Sequence, residues 1–339
     1  MWDHDENDRD QDYYESLLSS PFEEQGFESG STEKPCLEFS HGGSVERRIN
    51  QPRTVEKTGS RTASEPTLES IDKNKDFSTL LRRFLERNVD RVVARDSRTR
   101  VLDRPFGFDR QYIRQEVLEK GRTDFERCTI GGLTVEDKVN LYAHMNMKLH
   151  LYHLQRSFRL FRNWLDPVFS ESSSVQVIDI GCGPGTACFA LADLFSNSKF
   201  NYAGIDIASP MRAKAVRLLK AARESGFSNF NVEGVFRSWE DIQLRPKEKM
   251  FINCSYFFSS KSLNDRSIAS FVKYVNQFVE NNLVKSVQLL YLNPARQISG
   301  KNYTKFKRQI EIKDSCLEEF STVGSQATLK CLAECLSLK

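Results

Sequence analysis

The residues best placed to do chemistry form one run, Val177-Ile178-Asp179-Ile180-Gly181-Cys182-Gly183-Pro184-Gly185-Thr186. It joins a short apolar stretch, Val175–Ile180, to a helical pattern over 187–195. A doubly wound sheet binds its ligand at this place, beyond the carboxyl end of its first strand. The glycines let the chain turn tightly and bring backbone N–H groups against a ligand. The helix that follows presents its positive N-terminus, which suits a carboxylate or a phosphate. Asp206 ends a second apolar stretch, 202–207. It lies about twenty residues beyond the loop, where a carboxylate accepts both hydroxyls of a ribose.

Spacing separates the candidate ligands. A dinucleotide fingerprint is Gly-x-Gly-x-x-Gly, whereas here the third glycine is Gly185 and the dinucleotide position is Thr186. Pro184 fits pyrophosphate cradling poorly, and no Gly-Lys-Ser/Thr follows to make a P-loop. Asp179, just ahead of the glycines, is a further departure from the dinucleotide pattern.

The elements that must position this loop alternate along the chain. Strands are predicted at 175–180, 202–207, 231–236, 250–254 and 286–292, with helices at 187–195, from Ser209 to Gly226, and at 265–281 and 302–309. Ser209 is read as the cap of its helix, with Pro210 in the first turn. Strands at 317–323 and 327–335 read as a hairpin edge. This order predicts an α/β fold, a doubly wound, mainly parallel seven-stranded sheet covered on both faces. Ahead of it, Thr134 and Asp137 read as a capping box for a helix reaching about Trp164. A helical extension and connector is expected over 77–133, opening on Phe77, Leu80, Leu81, Phe84, Leu85 and Val92 at helical spacing, with one helix near 109–120.

With these elements in place, Asp179-x-Gly181-x-Gly183-x-Gly185 resembles the first motif of the class I S-adenosylmethionine (SAM)-dependent methyltransferases, which share a Rossmann-like sheet. The segment 202–207 with Ser209-Pro210-Met211 resembles the second. The likeness implies a SAM-binding domain over 134–339, including the helix before the first strand as a lid. It implies SAM as cofactor, held by Asp179, Gly181, Cys182, Gly183, Gly185, Asp206 and Ile207. The adenine-reading position falls on Ser238, beside Trp239. In this family the end of strand four faces the transferable methyl, and here it reads Asn253-Cys254-Ser255-Tyr256. Asn253 and Tyr256 resemble the (Asp/Asn)-Pro-Pro-(Tyr/Phe) motif of enzymes that methylate exocyclic amines, without its prolines. Asn253 is thus expected both at the cofactor and, with Tyr256, at the catalytic position. Packing is the competing reading for both. The Lys-Asp-Lys-Glu tetrad of 2′-O RNA methyltransferases is not recognisable.

The acceptor class stays open among small molecule, RNA and protein. Arginines over 82–127 tilt it towards an anion, as Arg296 after strand five would. On the helix before strand one, Tyr142, His144 and His150 are candidates for a lid, and His150 and His153 share a face without a third metal ligand. No metal is expected. Residues 1–76 carry 18 acidic and nine basic residues and no sustained apolar period, and read as a disordered acidic tail open to a protein partner. The eight cysteines show no CxxC spacing, the N-terminus lacks a basic signal-peptide region, and no apolar run approaches a membrane span. These point to a cytoplasmic protein away from membranes. The sequence does not give its oligomeric state. A partner-binding scaffold with weak or no methyl transfer is the alternative to an active enzyme.

Overall fold

A computed structural model describes residues 77–338 except 101–103, 122, 128–129, 171–174, 243–248, 261–262, 281–283, 285, 295–298 and 324–327. The acidic 1–76 segment, Cys36, Cys128 and Arg296 lie outside the described residues.

The chain enters through α1 (Thr79–Leu85), capped by Ser78 and anchored by Leu81, Phe84 and Leu85. A regular helix was expected to continue. Instead the backbone makes a π-helical turn over Glu86–Asp90 before Arg91–Ala94. A second π-helical turn, Ile113–Val117, follows Arg110–Tyr112 in the connector. Periodicity alone does not distinguish these wider turns from α-helix.

The long helix α2 (Val135–Leu160) starts at the expected capping box of Thr134 and Asp137. Arg98 closes on the same carboxylate with two nitrogens, at 3.0 and 2.8 Å, while also holding Asp96. The Arg98 guanidinium keeps both carboxyls below their usual range, Asp96 at about 2. Lys138 donates to the carbonyls of Asp124 and Arg127, at 2.7 and 3.0 Å. The connector is thereby fastened to the first turn of α2.

Seven strands form one sheet: β1 (Val175–Ile180), β2 (Phe200–Ile205), β3 (Phe230–Phe236), β4 (Lys249–Ser255), β5 (Ser286–Pro294), β6 (Ile312–Val323) and β7 (Thr328–Leu338). Their order is β3-β2-β1-β4-β5-β7-β6. The first five are parallel, and β7 runs antiparallel between β5 and β6. The expected fold class is therefore present. β6 begins five residues earlier than the apolar pattern allowed. Its start, Ile312-Lys313-Asp314-Ser315-Cys316, is an edge held by β7 main-chain bonds, so charged side chains there face solvent without breaking the strand.

Helices α3 (Thr186–Leu194), α4 (Ser209–Glu224), α5 (Asp265–Glu280) and α6 (Ser299–Lys307) complete the layers. Strand residues alternate between the two faces, as the period of two requires. Val177, Phe251 and Leu290 join α1, α2, α3 and α4 in one core. Ile178, Ile252, Leu289 and Tyr291 join α5 and α6 in the other. Phe84 of α1 meets Phe189 and Phe227 at ring-centroid distances of 5.1 and 5.8 Å, so the extension shares the sheet's own core. Each such fully buried side chain contributes about 1.5–3 kcal/mol.

Candidate cofactor and acceptor site

The glycine loop leaves β1 at the carboxyl edge of the sheet. Gly181, Gly183 and Gly185 all have positive φ, at 71°, 52° and 86°. That backbone explains why glycine stands at each position, since other L-residues pay for a left-handed conformation. The loop is held to β2 by Gly181 and Cys182 N–H groups donating to the Ile205 carbonyl, at 2.8 and 2.9 Å. A Cβ at Gly183 would meet nothing within 4 Å, so the turn faces open space. At Gly204, by contrast, a Cβ would stand 2.9 Å from Cys182 Sγ. The bare backbone of Gly204 is what lets the buried Cys182 side chain lie on β2.

Asp206 follows β2 directly. Its Oδ2 accepts from Gly183 N–H at 3.0 Å and its Oδ1 from Ala208 N–H at 2.9 Å. A carboxylate has about four lone-pair sites, so two are left for hydroxyl donors. Burial pushes this carboxyl up, and the two N–H groups and the Arg212 charge draw it back. Ile207, alongside, is 62% exposed. The Asp206 N–H donates to the Phe236 carbonyl, so the turn after β3 leaves the sheet beside this carboxylate. Ser238 caps that turn over Trp239–Asp241, while Trp239 packs on Phe271 and Tyr274 and donates from Nε1 to Ser270 Oγ at 3.2 Å.

The cap of α4 differs from the expectation. Ala208 occupies the N-cap position without a side-chain bond, and the Ser209 N–H donates to Glu126 Oε1 at 2.5 Å. A carboxylate 83 residues away serves in place of the serine, because the fastened connector brings Glu126 to the positive end of the helix.

Beneath the loop lies a buried polar network. Register places Asp179 of β1 opposite Asn253 of β4. Tyr202 O–H donates to Asp179 Oδ2 and Asn253 Nδ2 to Asp179 Oδ1, both at 2.7 Å. Ser255 O–H donates to Asn253 Oδ1 at 2.6 Å. Asp179 and Asn253 are each 2% exposed. Burial raises the Asp179 carboxyl to about 6, against the two donors that favour its charge. Both ends of the Asn253 amide are therefore engaged within the fold. Tyr202 did not stand out in the sequence; its signal is a tyrosine inside a buried strand, whose hydroxyl needs a partner.

Tyr256 sits just past β4 with φ 61°, a left-handed conformation that costs a non-glycine residue on the order of 1–3 kcal/mol. Three contacts hold it there. Its N–H donates to the Leu292 carbonyl at 2.8 Å. Its ring stacks on His150 with centroids 4.3 Å apart. Its hydroxyl lies 2.5 Å from His153 Nδ1. Tyr142 O–H lies 3.5 Å from His150 Nδ1 and feels the charge of Asp206. Thus Tyr142, His150 and His153 of α2 span from the Asp206 end to the β4 end. His153, 1% exposed, sits inside the fold between Tyr256 and Cys331. Burial lowers His150 to about 4, so its imidazole is neutral near pH 7. His144 turns away, pairing with Lys148 on Asp90 at 3.0 and 2.8 Å. Among the described residues no group of histidines, cysteines and carboxylates is arranged to hold a metal.

A doubly wound sheet with a glycine loop after β1 and a carboxylate after β2 defines a nucleotide-type binding fold. Residues 171–279 match the family model described as "Methyltransferase domain". Comparison with curated proteins gives no match. Among solved structures, a SAM-dependent methyltransferase from Leishmania major is similar at 12% identity, covering 59% of this chain and 76% of that one, with TM-score 0.36. A SAM-dependent methyltransferase from Aquifex aeolicus shares 12% identity over 55% of this chain and 98% of that one, TM-score 0.32. Precorrin-6y C5,15-methyltransferase from Geobacter metallireducens shares 10% over 52% and 88%, TM-score 0.33. No helix among the described residues is long and apolar enough to cross a membrane.

Proposed function

We propose that this chain transfers a methyl group by in-line displacement from SAM to an acceptor held between the end of β4 and helix α2. The observation behind this reading is the glycine loop facing open space beside Asp206, whose carboxylate keeps lone pairs for two hydroxyls. The exposed Ile207 gives an apolar shelf next to that carboxylate, and Ser238 and Trp239 flank it from β3. A carboxylate with lone pairs to spare beside an apolar shelf fits an adenosine.

SAM supplies a methyl already activated by its sulfonium. The protein's task is to hold the nucleophile in line, which is worth up to about 7–11 kcal/mol. In this reading Gly181, Cys182, Gly183 and Gly185 present backbone to the cofactor, and Asp206 orients its ribose. Asp179 shapes the loop from below, with Asn253 as the residue that positions Asp179. Tyr256 and His150 form the wall against which the acceptor stands. The arginine-rich extension favours an anionic acceptor.

The second reading, a scaffold that binds a partner with little or no methyl transfer, is favoured by one observation. Asn253 and Tyr256, the polar groups at the end of β4, already have partners within the fold. Calorimetric titration with SAM and its demethylated product, beside an Asp206→Ala control, separates the two. Binding of both that is lost in the control supports the enzyme and directs a radiolabelled-methyl screen of cell extract. Absence of binding by folded protein moves the conclusion to the scaffold.

A further inference from the structure

The charge of this chain is divided unevenly. Of 49 basic and 46 acidic residues, residues 1–76 hold nine and 18, which leaves 40 and 28 in the remainder. Within the first 40 residues the imbalance is steeper still, 12 acidic against two basic. The acidic part and the basic body belong to one molecule, and the acidic part joins the body at Phe77, one residue before the cap of α1.

The far end of the helical segment that starts at this junction is lined with arginine. Beyond α1, Arg87, Arg91, Val92, Arg95 and Asp96 border a shallow depression of about 280 Å³. Arg91 is paired with Glu86 at 2.5 Å, and Asp96 is taken by Arg98 at 2.8 Å. Among the described residues no carboxylate pairs with Arg87 or Arg95, although both are exposed. Asp90, the remaining acid of this helical segment, is turned inward to His144 and Lys148. Val92, 41% exposed, adds an apolar side chain to the lining. A ligand that matches it carries several negative charges next to aromatic or aliphatic groups, since guanidinium planes both pair with carboxylates and stack on aromatic rings.

The chain contains such a segment. Residues 8–18 read Asp-Arg-Asp-Gln-Asp-Tyr-Tyr-Glu-Ser-Leu-Leu, four acids around two tyrosines with two leucines following. We infer that this segment docks on the arginine-lined depression of its own chain, with Tyr13 and Tyr14 against the guanidinium planes and the acids facing Arg87 and Arg95. The 36 residues of 41–76 reach more than about 100 Å when extended, so length imposes no barrier. Covalent attachment makes the contact intramolecular, at an effective concentration on the order of millimolar.

The test uses the full chain, ¹⁵N-labelled, with Cys36, Cys128 and Cys316 replaced by serine and a nitroxide attached through Ser20→Cys. The amide signals of residues 87–96 are expected to lose most of their intensity at low salt. They recover at 1 M salt, where the screening length is about 3 Å. They also recover in the exposed-surface variant Arg87→Ser/Arg91→Ser/Arg95→Ser, whose other signals report that it is folded. Absence of broadening at 87–96, or broadening that the triple variant leaves unchanged, overturns the inference. So does broadening of ¹⁵N-labelled, nitroxide-free chains mixed with nitroxide-bearing unlabelled chains, which assigns the face to a second copy.

Discussion

The two ends of the candidate site are built by different means. At the β1–β2 end, the groups proposed to meet a cofactor are one short glycine loop and the carboxylate just past the next strand, tied together by the Gly183–Asp206 bond. At the β4 end, the groups are side chains from distant segments. Tyr256 is held against His150 and His153 of a helix about a hundred residues upstream, with Cys331 of β7 behind them. The first end is set by local chain geometry, and the second exists only after α2 has packed on the sheet. Substitutions at the first end should therefore act on binding directly, and those at the second on stability and acceptor handling, with cofactor affinity spared.

The largest effect is expected at Asp206. Hydrogen bonds to a charged group are worth about 1.5–3 kcal/mol each, so Asp206→Ala is predicted to weaken binding of demethylated SAM by about 100-fold or more. Calorimetry on folded variant reads this, and unchanged affinity would remove the carboxylate from the cofactor site.

The two ends are also predicted to respond to pH with opposite sign. Asp179 is raised from its ordinary 3.8 to about 6. The folded state holds its proton more tightly than the unfolded chain, so this contribution is present below pH 3.8 and lost as pH rises through 6. His150 is lowered from 6.5 to about 4. Its contribution is present above pH 6.5 and lost as pH falls through 4. Each is on the order of 2–3 kcal/mol. Denaturant melts between pH 4 and 6.5 should show Asp179→Asn more favoured by rising pH than the parent chain, and His150→Gln less so. Parallel pH slopes in parent and variants would contradict the assignment.

At Gly204 an added methyl meets Cys182 Sγ at 2.9 Å. Overpacking of this kind costs about 1–3 kcal/mol, and Cys182→Ala is expected to recover part of the loss in Gly204→Ala. A thermal-melt double-mutant cycle tests the coupling; strict additivity would mean the two do not touch. The smallest effect is expected for Tyr256→Phe, about 1 kcal/mol for the lost partner of His153. Its affinity for demethylated SAM should equal that of the parent, and a large drop there would erase the distinction between the two ends.

The contrast also explains what could be read early. The loop, Asp206, the strand order and the α2 capping box involve residues near one another in sequence, or a spacing that the fold imposes. The roles of Tyr202, His153 and Glu126 were not legible in the same way. Tyr202 and Asp179 are 23 residues apart, His153 and Tyr256 103, Glu126 and Ser209 83. Nothing in the pattern around any one of them names its partner. The π-helical turns at Glu86–Asp90 and Ile113–Val117 were hidden too, because one added residue per turn changes the phase of a helix without changing its composition.

By itself the sequence determined the doubly wound sheet and the position of the glycine loop, since strand and helix periods and glycine's access to positive φ are local properties of the chain. Only the tertiary structure decided that Asn253 turns inward to Asp179, that Tyr256 is locked in a left-handed conformation under α2, and that Glu126 caps α4. These depend on which buried donors and acceptors find each other once water is excluded, and that is settled by packing across the whole domain.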